Sequence, residues 1–188
     1  MASRFYDLTD DKYVPGRWYL RGPFRRRTEL DARDYTEGVK RPDPGPLAIP
    51  LLRPGKPLDW TEGDYAMPVV SEKVSNILRE LAPDDVQLFP VTVKGRRERY
   101  YIANAIHSCA CVDEKRSQDV RRWTKDDFRP DLAGRYKVIH KLIINPRRTG
   151  GHRLFRVKDW EVALIASQEI KDAFEEAGVL GAEFIPVT

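Results

Sequence analysis

A stretch of this chain is written twice. Residues 71–92 read SEKVSNILRELAPDDVQLFPVT, and 96 positions on, without a gap, residues 167–188 read SQEIKDAFEEAGVLGAEFIPVT. Ser71, Glu80, Pro90, Val91 and Thr92 meet Ser167, Glu176, Pro186, Val187 and Thr188, while Val74/Ile170, Leu78/Phe174 and Leu88/Phe184 are apolar in both copies. Each copy opens on a serine whose hydroxyl can accept from a free N–H of a first helical turn. Val74, Ile77, Leu78 and Leu81 then follow at helical spacing, and Ile170, Ala173, Phe174 and Ala177 repeat the stripe, so each helix has one face to bury. Pro83 stops the first helix; Gly178, suited to a left-handed cap, stops the second. Apolar runs at 67–70 and 162–166 precede the serines, and β-forming runs at 86–93 and 182–187 follow the helices. The pattern predicts an α+β protein: a mixed or antiparallel sheet with two principal amphipathic helices, about 72–82 and 168–177, in a duplicated strand–helix–strand unit.

The rest of the chain divides unevenly. Residues 1–60 carry Pro15, Pro23, Pro42, Pro44, Pro46, Pro50, Pro54 and Pro57, which interrupt any helix. Extended segments draped over a sheet-and-helix body at 66–188 are expected, pinned by Phe5-Tyr6, Trp18-Tyr19-Leu20 and the apolar run 47–52. A single domain of 188 residues is long enough for a substantial core. The runs 86–93 and 98–106 flank a Gly-containing turn at 94–97, the signature of a hairpin, with Tyr101, Ala103 and Ala105 on one face and Tyr100, Ile102, Asn104 and Ile106 on the other. A second hairpin is predicted from 135–145 and 152–158, around Gly150-Gly151.

Several chemistries find no purchase. No apolar run is long enough to span a bilayer, and Asp7, Asp10 and Asp11 stand where a secretion signal would be hydrophobic, so cytoplasmic residence without a membrane is expected. Cys109 and Cys111 are too close for a useful crosslink and read as buried reduced thiols. His107, Cys109 and Cys111 alternate, but residues four apart on a strand lie about 13 Å apart, so no metal site is expected from them; His140 and His152 show no ligand spacing. Asp84-Asp85 and Asp126-Asp127 sit in loops, where solvated acids are the ordinary case. Nucleophile elbow, phosphate-binding loop and zinc-protease signatures are missing from the sequence, and no catalytic group or cofactor is expected.

The net charge is +4, and the arginines fall in small clusters at 25–27, 96–97, 121–122 and 147–148, each with acids nearby. A nucleic-acid reader usually gathers its basic charge on one surface. An arginine-based nucleic-acid or regulatory module is therefore the second choice. The polar stretch 112–134 is too long for a simple loop, and such connections tend to carry function. Its Trp123 is either an anchor on the core or a contact residue for a protein partner.

Taken as a series, DDKYVPGRWYL (10–20), GKPLDW (55–60), LAPDDVQLFPV (81–91), CVDEKRS (111–117), AGRYKV (133–138) and VALIASQEIKDAFEEAGVLGAEFIPV (162–187) resemble immunity family eleven of bacterial polymorphic-toxin systems, of the kind abundant in myxobacteria and formerly a domain of unknown function. The resemblance implies a non-catalytic protein made beside a secreted toxin, encoded by an adjacent gene and delivered by a contact-dependent or type VI route, which it binds and neutralises. It carries over no contact residues. From the polar stretches themselves, contacts are expected at Arg96, Arg97, Asp113, Glu114, Arg121, Arg122, Trp123, Asp126 and Asp127.

Overall fold

The structure, a computed structural model, describes residues 4–26 and 28–188; Arg27 of the first arginine cluster lies outside them. Strand β1 (Phe5–Asp10) is followed by short strands β2 (Tyr19–Leu20), β3 (Phe24–Arg25), β4 (Thr28–Glu29), β5 (Leu47–Ile49), β6 (Leu51–Arg53), β7 (Trp60–Glu62) and β8 (Pro68–Ser71). Helix α1 (Glu72–Leu81) leads into β9 (Val86–Val93), β10 (Tyr100–Ala105) and β11 (Ser108–Cys109). Then come β12 (Arg121–Arg122), β13 (Tyr136–Val138), β14 (Leu154–Val157), β15 (Trp160–Ser167), helix α2 (Gln168–Glu176) and β16 (Ala182–Pro186). The order β4-β3-β5-β9-β10-β8-β7 makes one main sheet and β11-β14-β15-β1-β16 the other; β12-β13 and β2-β6 form small ribbons.

Both copies of the repeated stretch build the same three-stranded core. β8 and β9, joined by α1, lie on either side of β10 and antiparallel to it, while β15 and β16, joined by α2, lie on either side of β1 in the same way. The registers agree residue for residue. Ser71 faces Tyr100 as Ser167 faces Phe5, Pro90 faces Tyr101 as Pro186 faces Tyr6, and Val86 faces Ala105 as Ala182 faces Asp10. The middle strand comes from the following hairpin in the first unit and from the N-terminal segment in the second.

The two units close face to face. Val74 and Leu78 of α1, Ile170 and Phe174 of α2, Tyr101, Ala103 and Ala105 of β10, Leu8 of β1 and Leu164 of β15 share one buried cluster, and α1 packs on α2 within it. Each such Leu or Phe contributes roughly 1.5–3 kcal/mol by leaving water. The helix ends follow local chemistry. Ser71 caps α1 through a long 3.5 Å contact from the Val74 N–H, and its own hydroxyl donates to Asp59 at 2.8 Å. Ser167 starts α2 without a capping hydrogen bond. After α2 the N–H of Gly178, at φ +59°, bonds Glu175 and that of Val179 bonds Phe174, the two hydrogen bonds of a Schellman cap. Gly181, at φ +95°, lies against Trp60, whose carbonyl oxygen would stand 2.3 Å from an added Cβ. Only glycine fits there.

A second cluster, including Trp18, Leu20, Tyr35, Leu47 and Ile49, covers the outer face of the seven-stranded sheet, with Trp18 donating to Thr61 at 2.7 Å. Trp18 and Leu20 are both buried in this cluster. The draped picture of 1–60 needs correction: β1 is an interior strand, and β3, β4, β5 and β7 are members of the larger sheet. The second predicted hairpin is also absent. β14 pairs with β15, and Tyr136–Val138 pairs with β12. The mixed segment 139–144 imitates a strand because Ile139, Leu142 and Ile144 all bury, yet they fill a third cluster outside the five-stranded sheet from irregular backbone.

Charges are buried where the sheets meet. Arg17 grips both carboxylate oxygens of Asp10 at 2.7 Å. Arg156 of β14, 1% exposed, donates to the carbonyls of Glu161 and Ala66 at 3.1 and 3.4 Å and lies in the field of Glu62 and Asp7. Burial lifts Asp7 to about 6. Burial, with the neighbouring Asp10, lifts Glu62 to about 7.

Candidate functional site

The structure splits the sequence-predicted contact residues between two places. The turn between β9 and β10 carries Arg96 and Arg97. Arg96 lies over the Trp18 ring at 5.6 Å and donates to the Gly55 carbonyl at 3.1 Å, so much of its reach is spent clamping the N-terminal segment. Arg97 is exposed beside a shallow groove formed by Gly45, Pro46, Pro90, Thr92 and Arg99.

The remaining candidates lie along the segment that β12 and β13 tie together. Asp113, Glu114 and Arg122 border a cleft of about 580 Å³ whose other walls include Lys115, Tyr136, Arg148 and Lys158. Inside it, the Glu114 carboxylate accepts from Arg122 at 2.6 Å and from the Tyr136 hydroxyl at 2.8 Å, while the Arg122 guanidinium sits 4.0 Å above the Tyr136 ring. Arg122 and Tyr136 hold Glu114 below the usual carboxylate range. Burial and that bond to Glu114 push the Tyr136 phenol to about 12.

Beside this cleft, Trp123 and Phe128 meet edge to face at 5.1 Å, and the Lys137 ammonium stands 4.7 Å from the Trp123 ring. Lys137 is also ion-paired with Asp127, whose other oxygen caps the turn by accepting from the Thr124 N–H at 2.8 Å. Those bonds, the one from Lys137 first, hold Asp127 down at about 2. Trp123 is half-buried by these neighbours and belongs to none of the three core clusters, while Phe128 is 81% exposed. Asp126 is exposed, and Arg121 is held by Asp119 at 2.7 Å. The result is an aromatic knob set among charges that already neutralise one another.

Pairing recurs among the arginines. Arg33, Arg41, Arg129 and Arg135 are bound by Asp31, Glu37, Asp131 and Glu161 respectively. The thiols are buried and free, and burial raises Cys109 to about 11 and Cys111 to about 12, which removes thiolate character at neutral pH.

One constellation escaped sequence reasoning. Asp85, expected to be a solvated loop acid, is 6% exposed and contacts both His107 and His152. The residues lie far apart in the chain, and no spacing rule joins them; their shared position at strand ends was the only available signal.

The model of the immunity protein family (Imm11) matches residues 18–188. The chain belongs to that family. The family match covers the aromatic knob, the cleft, both helices and the Asp85 cluster, and begins after β1, the strand that completes the second unit. No curated protein matches the chain. No helix among the described residues is long and apolar enough to cross a membrane.

Proposed function

We propose that this member of the immunity protein family binds and neutralises a cognate secreted toxin, encoded by an adjacent gene, in the cytoplasm of the producing cell and without catalysis of its own. Family membership supports the class of function, and the Trp123–Phe128 knob supports the place. Exposing most of a phenylalanine beside a braced tryptophan leaves apolar surface in water, and rigid aromatic anchors ringed by polar groups are what protein interfaces use as hot spots. The surrounding pairs, Asp127 with Lys137 and Glu114 with Arg122, brace the loop before the partner arrives, which lowers the entropy cost of docking. Asp113, Arg121 and Asp126 would form the polar rim, and Arg96 and Arg97 a secondary patch.

Type VI or contact-dependent delivery of the toxin fits the same reading. Of the arginine clusters read in the sequence, Arg121 and Arg122 are held by Asp119 and Glu114, and phosphate binding there would have to displace carboxylates already in place.

The test is co-expression with the product of the adjacent gene, followed by a binding titration. Phe128→Ala and Trp123→Ala should each weaken binding by about 2 kcal/mol or more, roughly 30-fold, with folding unchanged. If the neighbouring product is harmless alone, or equally toxic with this protein present, the proposal fails. Salt-steep binding to nucleic acid with no toxin binding would favour the alternative.

A further inference from the structure

We propose that Asp85, His107 and His152 form a binding site for one divalent transition-metal ion, of the zinc, cobalt or nickel class, that clasps the two main sheets together. Asp85 stands just before β9, His107 just after β10 and His152 just before β14. Asp85 leads into the seven-stranded sheet, His107 bridges from β10 of that sheet to β11 of the five-stranded one, and His152 leads into β14 of the latter. One ligand atom from each lies within 4.8 Å of the others. His152 Nδ1 is 2.8 Å and His107 Nε2 3.6 Å from the same carboxylate oxygen, Asp85 Oδ1. The two rings are stacked 3.7 Å apart, 16° from parallel, with one nitrogen of each beside that oxygen, and loading an ion requires the rings to turn so that both lone pairs meet it.

The carboxylate is already oriented for this task. Its other oxygen, Oδ2, accepts from the backbone N–H groups of Arg153 at 2.7 Å and Leu154 at 3.3 Å, which leaves Oδ1 to face the imidazoles. Outer partners of that kind fix the direction of a ligating group. The Asp85 side chain is 9% exposed and the histidines 30% and 32%, which gives an ion a route from solvent to a sheltered anion. Two imidazoles and one carboxylate suit borderline transition ions rather than magnesium or calcium, and three protein ligands leave a coordination position for water.

Loading the ion exchanges hydrogen bonds for coordination. Without it, the His107 Nε2–H donates to the Asp84 carbonyl at 2.9 Å and the His152 Nδ1–H donates to Asp85. With it, each neutral ring carries its hydrogen on the opposite nitrogen and gives the freed lone pair to the metal, with no change of oxidation state. Protonation of either ring competes with the ion.

The site stands independently of toxin binding, and its test reads metal and stability alone. The full chain, stripped with chelator, is titrated with zinc chloride by calorimetry at neutral pH and then melted with and without zinc. One ion per chain is expected, with the melting midpoint raised by roughly 5–10 °C at a hundredfold excess over Kd. His107→Ala and His152→Ala should each weaken binding by about 100-fold or more while His140→Ala leaves it unchanged, and magnesium should not substitute. Asp85 is left intact because its backbone bonds also hold the fold; circular dichroism verifies the histidine variants. Failure of the intact chain to bind zinc, or binding that survives the double histidine substitution, overturns the site and reduces the cluster to a hydrogen-bonded staple.

Discussion

The two strand–helix–strand units share registers and differ in how they are completed. The first is self-sufficient in sequence: β8, α1, β9 and β10 follow one another, and the outer edge of β9 is covered by β5 in parallel. The second borrows. Its middle strand, β1, comes from the N-terminal segment, more than 140 residues away from β15, and β16 stands at the end of its sheet. The structural unit is thus defined by strand register and by a helix with one apolar face, not by chain order. The difference also assigns risk. A unit whose middle strand arrives from elsewhere carries the larger loop-closure cost, although that cost grows only slowly with loop length.

The largest expected effect follows from that borrowing. Truncation through Asp10 removes the partner of both β15 and β16, and the cooperative thermal transition should disappear; a native-like melt would show that the second unit closes without its middle strand. Next come the matched helix anchors. Phe174→Ala should cost about 3–5 kcal/mol and Leu78→Ala about 2–5 kcal/mol in urea unfolding, because both are buried in the shared core. A loss below 1 kcal/mol at either would mean that the helices do not anchor the units equally.

Smaller effects should separate the units by charge. Glu62 of β7, raised to about 7 from 4.5, contributes stability that is complete below about pH 4.5 and is lost as pH rises through 7. Glu62→Gln should therefore remove on the order of 1–2 kcal/mol of the stability lost between pH 5 and 8, seen as a flatter urea midpoint. An unchanged pH slope would show that Glu62 titrates normally. The smallest contrast is at the caps: Ser71→Ala should cost about 1 kcal/mol, and Ser167→Ala, which removes no capping bond, a few tenths.

Sequence carried the local parts of this structure well. The helical stripes at Val74–Leu78 and Ile170–Phe174, the serine starts, the Gly178 cap and the split faces of Tyr100–Ala105 are all encoded within a few residues, and they emerge as read. Non-local pairing was not legible. Nothing in FYDLTD says that it will lie between β15 and β16, and the mixed segment at 139–144 buries Ile139, Leu142 and Ile144 from irregular backbone rather than from a strand. The candidate surface was legible as a polar stretch with one tryptophan, but the exposure of Phe128 and the bracing by Lys137 depend on β13 lying beside β12. Asp85, His107 and His152 meet only after both sheets form.

The proposed toxin-binding face is tested most directly by hydrogen exchange on the protein alone and in complex with the proposed toxin. Peptides spanning 121–138 should gain protection in the complex, with little change in the two helices. Protection confined to the β9–β10 turn, or none anywhere, would contradict the role assigned to Trp123 and Phe128.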